Sequence, residues 1–539
     1  MALTILIFSV TMIICVACSK LSTKIGVPSL LLFIVLGMLF GSDGIVGIQF
    51  DDYHFAQKFC SVALIFIMFY GGFGTNWRMA KPVAKQAILL SSAGVVMTAA
   101  LTGLFCHLVL RMSLLEGLLV GSVIGSTDAA SVFSILRSKK LNLKHSLASL
   151  LGIESGSNDP TAYMLTVICL SLMSAGKGDN YFYMIFAQIG YGLAIGFGIA
   201  FLAVILVKKI KFESSGLSTI LVASIALAAY ALPEMIGGNG YLSVYITGIV
   251  LGNQKFSSKI ELVHFFDGFT WVMQIFLFFS IGLLATPSKI PTILLPSVLI
   301  ALFLTFVARP AAVYSILSCF RMPFKQQTLV AWSGLRGAAS IVFAIYAVVS
   351  DAYTKSDIFH IVFCVALLSV AVQGTLLPIL ARKLDLVGSG DTVFKTFNDY
   401  QDHTQVRLFD VPIEENHPWA GCKLRDILLP PESLVVVIKR GAKNIVPNGS
   451  TKLLAHDVVV LNAAVYQEDA EETMYEETIH EGHPWIGKKV YQAKLPPDAY
   501  IVMIDRDGER MIPQRDTVIR QDDLVVMNLM APEAAAKKK

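Results

Sequence analysis

The sequence predicts an α-helical polytopic membrane protein that carries a small cytoplasmic α+β module at its C-terminal end. Three observations support this. Apolar types make up 55% of the 539 residues and charged types only 15%, with a mean hydropathy of +0.65; a soluble chain carries about 25% charged residues. Apolar runs long enough to cross about 30 Å of hydrocarbon recur through the first 384 residues. Beyond them charge returns, and the apolar runs shorten to β-branched stretches such as 434–438 and 458–461.

Composition narrows the classes further. An aromatic share of 10% and a net charge of +4 exclude a disordered chain. The eight cysteines form no metal or disulfide pattern: Cys15 and Cys18 are spaced C-x-x-C but lie inside an apolar run. No secretory signal is expected, because the first apolar run lacks a basic leader and continues into further spans.

Thirteen spans are expected, at 2–18, 27–41, 55–73, 86–110, 114–136, 146–174, 181–207, 216–233, 239–253, 260–285, 291–319, 326–349 and 357–381. One set of alternate loops holds sixteen basic residues, among them Arg78, Lys81, Arg137, Lys144, Lys208 and Arg321. The other set holds four: Arg111, Lys177, Lys289 and Lys355. Basic loops stay in the cytoplasm, so the N-terminus is expected outside and the C-terminal module inside, in a cell inner (plasma) membrane.

The soluble part contains a repeat at an offset of 66 residues. His417-Pro418-Trp419 recurs as His483-Pro484-Trp485, and Leu429-Pro430-Pro431 as Leu495-Pro496-Pro497. Ile438 and Arg440 match Ile504 and Arg506, and Asp457 and Asn462 match Asp523 and Asn528. Two similar β-rich lobes therefore follow one another. The expected organisation is a membrane domain over 1–384, a linker over 385–402, lobes over 403–465 and 470–530, and a frayed tail over 531–539.

Charge within hydrocarbon is costly, so each intramembrane ionisable residue needs a reason. The sixth span reads Glu154-Ser155-Gly156-Ser157-Asn158-Asp159-Pro160. Glu154 and Asn158 share one helix face and Ser155 and Asp159 the next. Their hard oxygens suit Na⁺ or K⁺, and a carboxylate can hold a proton instead. Pro160 should kink the helix. In the fifth span, Gly125-Ser126-Thr127-Asp128 suggests an unwound helix whose free carbonyls could coordinate a cation. Seven spans later, Ser333-Gly334-Leu335-Arg336-Gly337 is its counterpart if spans 1–6 and 8–13 are inverted repeats. Two broken helices crossing at mid-membrane would present paired half-dipoles, which Asp128 and Arg336 could neutralise. Asp128 is then either a cation ligand or only a dipole balance. Arg336 needs a buried anion, and Glu154 is its expected partner, which leaves Asp159 as the uncommitted acid. Arg309, before Pro310, is expected to support a helix break by binding carbonyls. Asp267 and His264 are expected to be interfacial.

These three motifs resemble those of the monovalent cation/proton antiporter family, in its NhaP-like branch, over about residues 1–384. The resemblance implies a thirteen-span fold with two inverted six-helix repeats, crossed discontinuous helices, a dimer interface domain and a moving core. It also implies exchange of a monovalent cation for a proton by alternating access. Carried over by position, Asp159 is the ion- and proton-binding acid, and Asp128, the Thr127 backbone and Ser155 are cation ligands. Asn158 stands where the electrogenic branch has an aspartate, which implies electroneutral exchange. Glu154 and Arg336 correspond to the family's buried ion pair, and Arg309, Ser333 and Gly334 would support the helix break.

The tail resembles the C-terminal lobe of regulators of potassium conductance (RCK_C, or TrkA-C). That resemblance implies a small effector, a nucleotide or an ion, at the lobes and tilts the cargo toward K⁺ over Na⁺. Gly388-Ser389-Gly390 lacks the third glycine and the strand–helix context of a dinucleotide fold, so no resident cofactor is expected. The partners expected are therefore K⁺ or Na⁺, H⁺, the bilayer and a second copy of the chain, but no nucleic acid. The alternative reading is a cation channel or symporter gated by the lobes, without obligatory proton exchange. A receptor without transport gives no reason for Asp128 and Asp159, and no nucleophile–base set or phosphate loop suggests an enzyme.

Overall fold

The computed structural model describes the chain except residues 1, 26–28, 140, 175–179, 211–214, 257, 353, 389–405, 416, 428–433, 442, 465–472, 494, 496–498, 507–508, 512, 514–516 and 530–539. Most of the expected linker, the 429–431 motif and the expected tail lie outside the described residues. The chain divides into two compact units, Met1–Gln401 and Asp402–Lys539.

The first unit is helical. In chain order its helices are α1 (Ala2–Ile25), α2 (Ser29–Phe40), α3 (Tyr53–Gly74), α4 (Trp77–Leu108), α5 (Leu114–Val123), α6 (Ala129–Ser138), α7 (Leu147–Met173) and α8 (Tyr181–Lys209). They continue with α9 (Ser215–Glu234), α10 (Gly240–Gly252), α11 (Lys259–Leu284), α12 (Pro287–Cys319), α13 (Phe324–Trp332), α14 (Ala338–Val349) and α15 (Ile358–Lys383). Seven described helices are long and apolar enough to cross a membrane: α3, α4, α8, α9, α11, α12 and α15. α7 has the length, with 27 residues, but its middle is polar. The chain is a helical polytopic membrane protein.

Local sequence explains where the helices begin. Asp52, Asn180, Asn239 and Asp357 each accept a backbone N–H of the following first turn. Ser113 and Glu116 form a reciprocal capping box at the start of α5. Three helices contain a π turn, at Leu90–Gly94 in α4, Leu304–Ala308 in α12 and Ser369–Gly374 in α15. Each inserts an extra residue and so shifts the face that follows it. A two-residue ladder pairs β1 (Asn142–Leu143) with β2 (Val387–Gly388), which ties the α6–α7 loop to the segment after α15.

The second unit contains two four-stranded antiparallel sheets. Strands β3 (Val406–Pro412), β4 (Leu434–Arg440), β5 (Lys443–Ile445) and β6 (Asp457–Ala464) take the order β3-β6-β4-β5. Strands β7 (Thr473–Thr478), β8 (Ala499–Arg506), β9 (Glu509–Met511) and β10 (Leu524–Leu529) take the order β7-β10-β8-β9. The 66-residue offset holds down to single atoms. Arg440 grips Asp457 through Nε and Nη2, both at 2.7 Å, and Arg506 grips Asp523 in the same way, at 2.7 Å each. His456 and Asp522 both take a positive φ, as do Gly421 and Gly487. The core of one lobe uses Ile413, Ile438, Leu453, Val459 and Leu461; that of the other uses Ile479, Ile504, Ile519, Val525 and Met527.

Candidate ion-binding site

Two interruptions in the helical backbone meet beside α7. One covers residues 124–128, between α5 and α6; the other covers 333–337, between α13 and α14. An interrupted helix exposes N–H groups at one side of the break and carbonyls at the other, and in an apolar setting both must find partners. The breaks partly satisfy each other: the Asp128 N–H donates to the Leu335 carbonyl at 2.7 Å.

Side chains do the rest. The Asp128 carboxylate caps α6, accepting from the Ser131 N–H at 3.2 Å and its hydroxyl at 2.5 Å. That sets a negative charge on the positive end of a half-helix. The Arg336 guanidinium donates to the carbonyls of Gly125 and Ser126, each at 2.9 Å, at the negative end of α5. Gly337 makes the crossing possible, since a Cβ there would collide with the Asp128 carboxylate.

The ion pair differs from the sequence expectation. Glu154 is held by Arg309, not by Arg336. The two arginines exchange the expected roles: Arg336 binds carbonyls at a break, and Arg309 carries the pair. The physical reason lies in α12 and α13. Arg309 follows directly on the Leu304–Ala308 π turn, which re-aims the helix face. Gly334 leaves room for its stem, because a Cβ there would lie 2.8 Å from Arg309 Nε. Glu154 still lies close enough to act on the Arg336 charge. Ser333, at the same break, donates back to the Leu329 carbonyl at 2.7 Å.

Asp159 accepts a hydrogen bond from the Ser126 hydroxyl and makes no ion pair with Lys or Arg among the described residues. The Asp128 charge is near enough to act on it. Ser155 donates to the Thr127 carbonyl at 2.6 Å, and the Asn158 amide donates to the Thr127 hydroxyl. The Asn158 Oδ1 atom has no hydrogen-bond partner among the described residues. Asp159, Ser155, Asn158 and Thr127 are thus gathered at the first break. Hydroxyl, carbonyl and carboxylate oxygens converge there, the ligand set of a hard monovalent cation or of a proton.

Three contributors escape the sequence reading. Ser126 stands inside a quoted motif, but the side on which its hydroxyl falls depends on the unwound backbone. Ser369 accepts the Arg336 N–H at 3.1 Å and donates to Gln373. The one available signal for that pair was a glutamine inside an apolar span.

Comparisons with known proteins agree with this architecture. The family model described as sodium/hydrogen exchanger, transmembrane, matches residues 8–383, and that described as TrkA-C domain matches 408–464 and 474–527. The K(+)/H(+) antiporter NhaP2 of Shewanella baltica is 34% identical over 448 residues, covering 82% of this chain and 77% of that one. The K(+)/H(+) antiporter NhaP of Alkalimonas amylolytica is 36% identical over 386 residues, covering 71% and 67%. Among solved structures, the sodium proton antiporter MjNhaP1 of Methanocaldococcus jannaschii at pH 8 superposes with a TM-score of 0.62 at 24% identity, covering 71% of this chain and 99% of that one. By the matching model and by these relatives, the chain belongs to the sodium/hydrogen exchanger family.

Proposed function

We propose that this chain is a secondary antiporter that exchanges a cytoplasmic monovalent cation, K⁺ in preference to Na⁺, for H⁺ by alternating access. One observation supports this above the rest. Asp159 stands beside a set of oxygen ligands at a broken helix, with its partner acids already engaged: Glu154 by Arg309, Asp128 by the α6 N-terminus.

Formal charge supports a one-for-one exchange. Three carboxylates, Asp128, Glu154 and Asp159, share the region with two guanidinium groups, Arg309 and Arg336. The set is left one negative charge in excess, and either a proton or a monovalent cation brings it to neutrality. Crossing hydrocarbon is cheapest for a neutral site, so each passage carries one or the other. Proton and cation then compete for Asp159. The preference for K⁺ rests on the relatives named K(+)/H(+) antiporters, which align over most of this chain.

We further infer thirteen crossings in two inverted repeats. The α5–α6 and α13–α14 pairs each count as one interrupted crossing, and α4 and α12, at corresponding positions of the two halves, both carry a π turn. The basic loops set the N-terminus outside and the lobes in the cytoplasm. A homodimer, and regulation through the lobes by a small effector, complete the reading.

The test is exchange in proteoliposomes with K⁺, Na⁺ and Li⁺ gradients across pH. Asp159→Asn is expected to abolish cation-driven proton movement, and retained exchange refutes the assignment. Turnover that depends on an imposed membrane potential refutes the one-for-one stoichiometry.

A further inference from the structure

At the end of the helices away from the basic loops, a second polar constellation lies outside the site described above. Tyr163 follows Asp159 by four residues on α7, about 6 Å along the axis and on the same face. Its hydroxyl donates to Glu234 Oε2 at 3.3 Å. Glu234 closes α9 and is partly buried. Its other oxygen accepts the Gly240 N–H at 2.9 Å, at the start of α10. No Lys or Arg pairs with it among the described residues. A partly buried carboxylate without a counter-charge is costly, and taking up a cation or a proton relieves that cost.

An aromatic seal adjoins this carboxylate through Tyr163. The Tyr346 hydroxyl is 3.4 Å from those of Tyr230 and Tyr241 and 2.9 Å from the Ser61 hydroxyl. The Tyr163 ring packs edge-on against Tyr241 and Tyr346, with centroids 4.9 and 5.5 Å apart. The seal joins α7 and α14 to α3, α9 and α10. Asn239 adds a further tie, its amide donating to the Pro160 carbonyl at 2.8 Å.

We propose that Glu234 and Tyr163 form an outer transit site, where the exchanged cation or proton pauses between Asp159 and the water opposite the basic loops. This rests on the antiport reading above. Carboxylate and phenol oxygens are hard ligands, suited to K⁺, Na⁺ or a proton. The site is one helical turn from Asp159, and the tyrosine seal decides when the two communicate. Glu234 also caps α10, so its substitution must separate the two roles. Glutamine keeps an oxygen for the Gly240 N–H, removes the charge and turns the oxygen that accepts from Tyr163 into an amide donor, so only the cap is preserved.

The test compares the full chain and its Glu234→Gln variant in right-side-out and in everted vesicles, with K⁺ and Na⁺ as probes. The apparent KM for the cation presented at the outer face is expected to rise about tenfold, the worth of one charge-assisted contact. The KM at the cytoplasmic face and the maximal rate should stay within about twofold of the unaltered protein. Tyr163→Phe should move the outer KM in the same direction by a smaller factor. Equal change at both faces, change at the cytoplasmic face alone, or no change overturns the transit site. If the unaltered chain moves no protons against K⁺ or Na⁺, the antiport reading itself fails, which is a separate result.

Discussion

Exchanging Glu154 for glutamine strips Arg309 of its carboxylate in a place where Arg309 is 3% and Glu154 1% exposed. Water cannot rehydrate the stranded guanidinium, and breaking such a buried pair from one side costs about 3–5 kcal/mol. Removing both charges, as in Glu154→Gln with Arg309→Met, leaves no stranded charge and should cost far less than the two single changes added together. The expected coupling is about 3 kcal/mol. Arg336 provides the internal control. Its guanidinium donates to the Gly125 and Ser126 carbonyls, so its coupling to Glu154 should be less than half as large. Denaturant unfolding of the purified full chain in mixed micelles, followed by tryptophan fluorescence, yields both cycles. Additive losses for Glu154 and Arg309, or a larger coupling with Arg336, would refute the assignment of the pair.

Gly337→Ala pushes a methyl group into the Asp128 carboxylate, so exchange in vesicles should fall by about tenfold or more while expression is retained; normal exchange would mean that the crossing tolerates displacement. In the lobes, the Arg440 hydrogen bonds hold Asp457 below the usual carboxylate range; burial pushes Asp523 up, but Arg506 and the Arg520 N–H outweigh it and hold it low as well. A lowered carboxylate contributes stability that is fully present above its unfolded value, about 4, and is lost as pH falls through the folded value. Asp457→Asn should therefore speed hydrogen exchange in β4 and β6 of the full chain at pH 7, and the difference from the unaltered protein should shrink below about pH 4. A difference independent of pH would show that charge is not what the clasp contributes.

Much of this molecule was legible because hydrocarbon tolerates so few ionisable groups. Asp128, Glu154, Asp159, Arg309 and Arg336 stand out in apolar runs, and all five converge on the two breaks. The choice of partner was not legible. Arg309 and Arg336 are each far from Glu154 in sequence, and which one reaches it depends on a π turn and on the space left by Gly334. Nothing in the periodicity of α12 marks an inserted residue. The Tyr163–Glu234 contact stayed hidden for another reason: tyrosines are ordinary in spans, and Glu234 lies where a helix end is expected. The repeat, by contrast, was readable residue by residue, because a paired Arg and Asp at fixed offset leave a trace that survives drift of the apolar positions.

The duplicated clasp says something about the history of the tail. Each copy closes its own core, keeps its own Arg–Asp grip and repeats the same β-bulge, at Val436 in one lobe and at Val502 in the other. What was copied was a complete folding unit. Two such units in one polypeptide can share a fold and still differ in the side chains they carry. The divergence is already visible: His483 meets the Glu477 carboxylate at 3.2 Å, where the matching position in the first lobe is Val411. A single gene product thus carries two unequal copies of one ancestral part, and asymmetry of response is available to it without any second subunit.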